Sequence, residues 1–234
     1  MNQLKLKMLT KMGQIFYQIA LYSLHKRQLE KRELTQAIER FTNLKENRGY
    51  SSYIVSKGKL YQGSLKDEYK TEHESGTYKK YNWGLDLLKY KQLLSANSIF
   101  ELGCGSAMLR EWCSSRNKKY RGLDLINPRD LKEVVTGAID NLDKIHLRDT
   151  DLVISSDFLE HLTLVEIREL LPKISGIMNI HCVALYDDNF SHKSVFEGYE
   201  WALIFSDYFS KVEILDIRFR GIPFNKKAIY IAAQ

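Results

Sequence analysis

From Ser98 onward the chain alternates short apolar runs with stretches of helical spacing, and this alternation restricts the fold more than any other feature. The runs are Ser98–Leu102, Lys119–Leu123, Glu133–Thr136, Leu152–Ser155 and His181–Tyr186. Each has the length of a strand, and the segments between them are long enough to carry the chain back across a sheet. Strands joined by such crossovers run parallel, because a tight turn can close only an antiparallel pair. Two later runs, Lys211–Arg218 and Lys227–Ala232, are separated by Gly221-Ile222-Pro223 and read as a closing antiparallel hairpin. The pattern therefore predicts an α/β domain over residues 81–234, with a seven-stranded, mostly parallel sheet flanked by helices. A helical stretch, Tyr81–Leu94, with Trp83, Leu87, Leu88 and Leu94 at its spacing, opens it.

The residues before it follow a different grammar. No proline occurs before Pro128, and no glycine between Gly13 and Gly49. Apolar residues recur at Met8, Met12, Ile15, Phe16 and Ile19, then at Leu34, Ile38, Phe41 and Leu44. That spacing predicts one long or two consecutive helices from about Gln3 to Asn47, a helical N-terminal extension over residues 1–50. Residues 51–80, rich in Tyr, Gly, Ser and Lys, read as an irregular lead-in with a short strand near Tyr53–Val55.

Charge separates the parts in the same way. Residues 1–50 hold ten basic and four acidic side chains, an excess equal to the net +6 of the whole chain, so the remainder is close to neutral. The basic balance thus belongs to the extension, and nucleic acid is not the expected partner of the body. Three readings of the extension remain: a helix packed on the body or on a second copy in a homodimer, an amphipathic basic helix on an anionic membrane surface, or a signal peptide. Gln14 and Gln18 interrupt the apolar patch, and no small-residue cleavage site follows, which disfavours the last. With 44% hydrophobic and 27% charged residues the composition is that of a globular protein. No run of ~18 apolar residues marks a transmembrane helix. Cys104, Cys113 and Cys182 are odd in number and lack metal-type spacing, as expected of reduced thiols in an intracellular protein. The expected location is cytoplasmic, or peripheral at the inner membrane surface.

The most informative stretch runs from Ser98 to Leu109, where an apolar strand ends in an acidic residue, then a Gly-x-Gly turn, then a helix beginning near Ala107. Gly103 permits the tight turn, and Gly105 lets a ligand approach the backbone closely. The amides at the start of the next helix face that ligand. A dinucleotide site wants a third glycine where this chain has Met108, and Glu101 would stand close to a doubly charged pyrophosphate. A ligand with a positive amino group suits Glu101 better.

At this point the sequence resembles the class I, Rossmann-like S-adenosylmethionine-dependent methyltransferases, whose first motif reads acidic-x-Gly-x-Gly-x-Gly. Glu101, Gly103 and Gly105 match, and Ala107 replaces the last glycine. The resemblance implies that this turn cradles the methionine end of S-adenosylmethionine, and that an acidic residue ending the second strand grips the ribose. Asp124, in Tyr120-Arg121-Gly122-Leu123-Asp124-Leu125, supplies it. Val134 to Asp140 looks like the next element, with Ile139 beside the adenine and Asp140 near its amino group. Asp151 to Leu162, a fourth strand followed by Glu-His-Leu, looks like small-molecule members of the class. The implied cofactor-binding set is Glu101, Gly103, Cys104, Gly105, Asp124, Leu125, Ile139, Asp140 and Ser156. The resemblance spans roughly Tyr81 to Gln234.

Methyl transfer is an in-line displacement, so positioning supplies much of the catalysis, and a base is needed only for a hydroxyl or a protonated amine. The candidates are Asp157 and His161 after the fourth strand, and His192 in the polar loop Asp187–Lys193 after the fifth. Tyr199, Glu200 and Trp201 could wall the same site, although core packing is the favoured role of Trp201. The Asn/Asp/Ser-Pro-Pro-aromatic segment of nucleobase amino methyltransferases is absent, since that place reads Ser156-Asp157-Phe158-Leu159. Asp187 and Asp188 do not by themselves make a metal-binding cluster, and no metal is expected. What remains is a small-molecule or glycan acceptor, with a loose resemblance to methyltransferases encoded with surface-polysaccharide genes. An RNA methyltransferase tethered by the basic extension, and a non-catalytic methyltransferase-like scaffold, are the alternatives.

Overall fold

A computed structural model describes residues 28–32, 35–36, 87–188, 191–220 and 226–234. In chain order the body runs α1 (Lys91–Ser95), β1 (Ser98–Leu102), α2 (Leu109–Ser114), β2 (Lys119–Asp124), β3 (Val134–Thr136), a 3-10 helix (Ile139–Lys144), and β4 (Leu152–Ser156). A second 3-10 turn (Leu159–His161), α3 (Leu164–Ile174), β5 (Met178–Ala184), α4 (Gly198–Ser206), β6 (Val212–Arg220) and β7 (Lys226–Ala233) complete it. All seven strands form one sheet in the order β3-β2-β1-β4-β5-β7-β6. β7 pairs antiparallel with β5 and with β6, and every other pairing is parallel, as the alternation of runs predicts.

The sheet is covered on both faces, which is why its central strand is wholly buried, with Ile99, Phe100 and Leu102 apolar and only Ser98 and Glu101 polar. Neighbours on one strand feed opposite cores. Phe100, Val153, Ile229 and Ile231 pack with Leu170, Trp201 and Phe205 of α3 and α4. Ile99, Leu152, Ile154 and Tyr230 pack with Leu93 of α1 and Leu109 and Cys113 of α2. α3 buries Leu164, Ile167, Leu170, Leu171 and Ile174, a stripe of helical spacing, and starts on a capping box between Thr163 and Glu166. The chain order reverses direction between β1 and β4, and in open α/β sheets such a reversal marks the carboxyl ends of the strands as the place where ligands bind.

Boundaries differ from expectation where tertiary contacts rescue a polar residue or bend the backbone. β5 starts at Met178 rather than His181, because buried Asn179 satisfies its amide on the Ile174 and Ile177 carbonyls. α2 starts at Leu109 rather than Ala107, because Ala107 stands at φ +52, which no helical residue adopts. The predicted helix over Tyr81–Leu94 is seen only from residue 87, as a 3-10 turn broken from α1 by extended Tyr90. Residues 28–32 and 35–36 are helical, as the spacing predicts, and touch the body at the edge of the sheet. Glu30 pairs with Lys227 at 2.9 Å, and Lys31 Nζ donates to the Leu215 carbonyl at 2.8 Å. The rest of the extension, the strand expected near Tyr53–Val55 and the Gly221-Ile222-Pro223 turn lie outside the described residues. Among the described residues no helix is long and apolar enough to cross a membrane.

Candidate functional site

One half of the site is the turn after β1. Gly103, Gly105 and Ala107 all take positive φ (+65, +51 and +52), so alternate residues along this loop are left-handed. The first two are glycines, for which this costs little; Ala107 accepts the strain while buried. Gly103 N–H donates to the Leu123 carbonyl at 2.8 Å, which holds the turn against the end of β2. Because Leu102 pairs with Leu123 in the β1–β2 register, the next residue of β2, Asp124, comes to the mouth of the turn. Its Oδ2 accepts the Gly105 amide at 2.6 Å and its Oδ1 the Ile126 amide at 3.2 Å. Gly137 N–H donates to the Asp124 carbonyl at 2.8 Å, so the loop after β3, with Leu125 close by and Ile139 and Asp140 just beyond, adjoins the same mouth.

Glu101 lies beneath the turn, 2% exposed. Tyr120 Oη donates to its Oε2 at 2.5 Å. Burial pushes the carboxyl up from an ordinary 4.5 to about 8; the Tyr120 hydrogen bond works against this, and the nearby Asp124 charge adds to it. The Cys104 side chain is turned inward: a Cβ on Gly122 would stand 2.7 Å from its Sγ. Its thiol therefore packs the core, and only its main chain belongs to the turn. All three cysteines are free and buried, as expected of reduced thiols. Ser156, at the end of β4, has a buried hydroxyl with no hydrogen-bond partner among the described residues.

The other half is built where β4 and β5 end. Asp157 takes φ +50 and donates its amide to the Cys182 carbonyl at 3.1 Å. The chain then makes the Leu159–His161 turn, which faces the loop after β5. Lys193 N–H and Ser194 N–H both donate to the Glu160 carbonyl, at 2.8 and 3.0 Å, and clip the two segments together. Asp188 shapes that loop by accepting from Ser191 N, Ser191 Oγ and His192 N. The result places the His161 and His192 rings edge to face, 4.9 Å between centroids. Each ring has its Nδ1 at a backbone carbonyl, His161 on Ser191 at 3.3 Å and His192 on Tyr186 at 2.6 Å. Burial, then the neighbouring His192, lowers the His161 imidazole to about 4, so it is neutral near pH 7.

All three acceptor-side candidates, Asp157, His161 and His192, are thus brought together. The residue the sequence reading passed over is Glu160, fully buried between them. Its Oε1 accepts the Ala184 amide at 3.0 Å. No N–H or hydroxyl donor among the described residues reaches its Oε2, and the group beside it is the Asp157 carboxyl, whose hydrogen bond with Glu160 favours a shared proton. Burial, and then Asp157, hold the Glu160 carboxyl well above the usual carboxylate range. Its adjacency to His161 in the Glu-His-Leu segment was the one available signal. Trp201 packs in the core, as favoured, and Glu200 takes another part than a wall of the site. Trp201 is core, 5.3 Å from Phe196, and Glu200 caps α4 by accepting the Glu197 amide. A hollow of about 230 Å³ lined by Ser98, Lys119, Arg121 and Asp149 opens at the opposite, amino end of the strands, away from all these groups.

No family model and no curated protein sequence matches the chain. Solved structures do. It is similar to an S-adenosylmethionine-dependent methyltransferase from Archaeoglobus fulgidus, with a TM-score of 0.51 and 16% identity over 71% of this chain and 99% of that one. It is also similar to the 1,6-didemethyltoxoflavin-N1-methyltransferase of Burkholderia thailandensis, with a TM-score of 0.56 and 12% identity over 75% and 92%. A candidate O-methyltransferase from Nostoc punctiforme gives 0.51 and 13% over 71% and 60%. At these identities the likeness is one of architecture, and it agrees with the strand order and the glycine turn: the chain has the fold of the class I, Rossmann-like S-adenosylmethionine-dependent methyltransferases.

Proposed function

We propose that the protein transfers a methyl group from S-adenosylmethionine to a hydroxyl of a small molecule or glycan. The observation that carries this reading is the junction of the two halves at the carboxyl ends of β1 and β4. Three left-handed residues and Asp124 stand on one side, and Asp157, His161 and His192 on the other.

The cofactor half is short of positive charge. Glu101 and Asp124 face each other closely enough for the second to raise the pKa of the first, so a cationic ligand relieves both. When bound, S-adenosylmethionine supplies a methyl carbon made electrophilic by a sulfonium. Glu101 receives the ammonium of its amino-acid end, and Gly103 and Gly105 keep its path clear of side chains. Asp124, already oriented by two amides, accepts from the ribose. Leu125, Ile139 and Asp140 border the adenine, and the Ser156 hydroxyl gains the partner it lacks. Asp157, His161 and His192 hold the acceptor hydroxyl and weaken its grip on its proton.

Calorimetric titration with S-adenosylmethionine and S-adenosylhomocysteine tests the cofactor, with Asp124→Ala as control. Micromolar binding that the variant loses is the expected result. A folded protein that binds neither compound overturns the reading. Transfer of labelled methyl to nucleotide sugars and lipid-linked glycans, measured against amine acceptors, then tests the hydroxyl.

A further inference from the structure

We propose that Glu160, His161 and His192, with Asp157 beside them, form a site for one divalent transition-metal cation, and that this cation binds the hydroxyl to be methylated. The inference rests on the methyl-transfer reading for the second clause only; the metal site stands on its own geometry.

One ligand atom from each of Glu160, His161 and His192 lies within 4.8 Å of the others. Three tetrahedral ligand atoms each ~2.1 Å from one metal stand ~3.4 Å apart, so a set at the 4.8 Å limit closes with shifts of just under an ångström per side chain. The three come from two backbone segments clipped together through the Glu160 carbonyl, which accepts from the Lys193 and Ser194 amides.

The chemistry of the donors fits better than their spacing alone. A histidine ligand characteristically donates its second ring N–H to a carbonyl or carboxylate, which fixes the tautomer and turns the other nitrogen's lone pair toward the metal. Both histidines show the first part of this arrangement, an Nδ1 at a backbone carbonyl. The carbonyls of Ser191 and Tyr186 hold the two Nδ1 atoms, which assigns the lone pairs to Nε2. Asp188 Oδ2 stands 3.8 Å from His192 Nε2, but its carboxylate is committed to Ser191 and to the His192 amide.

Glu160 is the independent observation. It is 0% exposed, and its Oε2 has no hydrogen-bond donor among the described residues. The Lys193 ammonium lies instead at 3.9 Å from Glu166. Glu160 and Asp157 are two carboxyls in hydrogen-bond contact, one of them fully buried, so they require positive charge between them, either a shared proton or a metal cation. A cation between Glu160 Oε2, Asp157 and the two imidazoles supplies it. Two imidazoles with carboxylates suit Mn²⁺, Fe²⁺, Co²⁺ or Zn²⁺ better than Ca²⁺, which prefers oxygen throughout. Coordination positions left open would take the acceptor hydroxyl, with a second oxygen beside it completing a chelate. That points to vicinal diols. The bound hydroxyl gives its proton to solvent more readily, its oxygen forms the new bond to the methyl carbon, and the old carbon–sulfur bond breaks with its electron pair left on sulfur.

Chelator-treated full-length protein titrated with MnCl₂, followed by loss of the free Mn²⁺ paramagnetic resonance signal, tests the site. One saturating Mn²⁺ per chain is expected, with at least tenfold weaker binding in Glu160→Gln and in His192→Asn. S-adenosylhomocysteine affinity should stay within about twofold in both variants, which shows that they fold. Absence of saturable binding by wild type, or equal binding by both variants, overturns the metal site. Mn²⁺ binding without S-adenosylhomocysteine binding upholds the metal site and overturns the methyl-transfer reading. If both bind but chelation leaves methyl transfer to a diol unchanged, the cation's role toward the acceptor is overturned.

Discussion

The ring of Phe158 occupies the space where a side chain on Gly103 would stand: a methyl group there would meet Phe158 Cγ at 2.8 Å. This contact joins the two halves of the site, because Gly103 opens the Gly-x-Gly turn and Phe158 sits between Asp157 and the Glu160–His161 pair. The packing that shapes one half therefore restrains the other.

Gly103→Ala should destabilise the protein by about 2–4 kcal/mol, combining the cost of a left-handed alanine with that of overpacking. The urea midpoint measures it. Adding Phe158→Ala should remove the steric part and leave the backbone part, seen in the glycine variant as stability regained despite the lost ring contact. Wild-type stability in Gly103→Ala would contradict both the φ of +65 and the contact.

Asp124→Ala should weaken cofactor binding by ~1.5–3 kcal/mol, the worth of charge-assisted hydrogen bonds, and should leave the Gly105 amide without its partner. Titration with S-adenosylhomocysteine reads this directly. An unchanged affinity removes Asp124 from the cofactor site.

Cofactor binding should release a proton. Glu101 keeps its proton up to about pH 8 in the folded protein, against an ordinary 4.5. Between those values the folded state binds more protons than the unfolded one, so this group's contribution to stability falls as pH rises through the window. An ammonium beside the carboxyl reverses the preference, so affinity should climb with pH and level off above about 8. Calorimetry at pH 7 in buffers of different ionisation enthalpy should detect the released proton in wild type and not in Glu101→Gln. Tyr120→Phe, which deletes a hydrogen bond that lowers the Glu101 pKa, should move the plateau to higher pH. No buffer dependence in wild type would mean that Glu101 does not meet the ammonium.

His181 should make the protein acid-sensitive. It is fully buried, with Ser155 Oγ 2.8 Å from its Nδ1, and burial lowers it to about 3. The unfolded chain takes up this proton near pH 6.5, so stability is complete above that value and is lost as pH falls toward 3, by up to ~1.4 kcal/mol per unit. Urea midpoints at pH 7 and pH 5 should differ less in His181→Gln than in wild type. An equal difference would assign the acid sensitivity elsewhere.

Much of this architecture could be read along the chain. Every strand was found, and Ser98–Leu102 to the residue, because a parallel strand buried on both faces writes its boundaries as an apolar run. The Gly-x-Gly turn and Asp124 were legible for a related reason: backbone conformation and strand end are local properties, and their meeting follows from strand pairing alone. The errors were local too. Asn179 looked like a break in β5 until its amide found carbonyls at the end of α3, and Ala107 looked helical until the turn forced it left-handed.

The half built after β4 and β5 required three dimensions. Asp157, His161 and His192 stood in the sequence as separate candidates, while the one signal for Glu160, its place in the Glu-His-Leu segment, was weak, since a glutamate beside a histidine is most simply a surface pair. Its burial follows from the Leu159–His161 turn folding under the loop after β5, a contact between segments 30 residues apart that no periodicity encodes. Carboxylates and imidazoles acquire their chemistry from desolvation and from one another, and both depend on which distant segments the fold presses together.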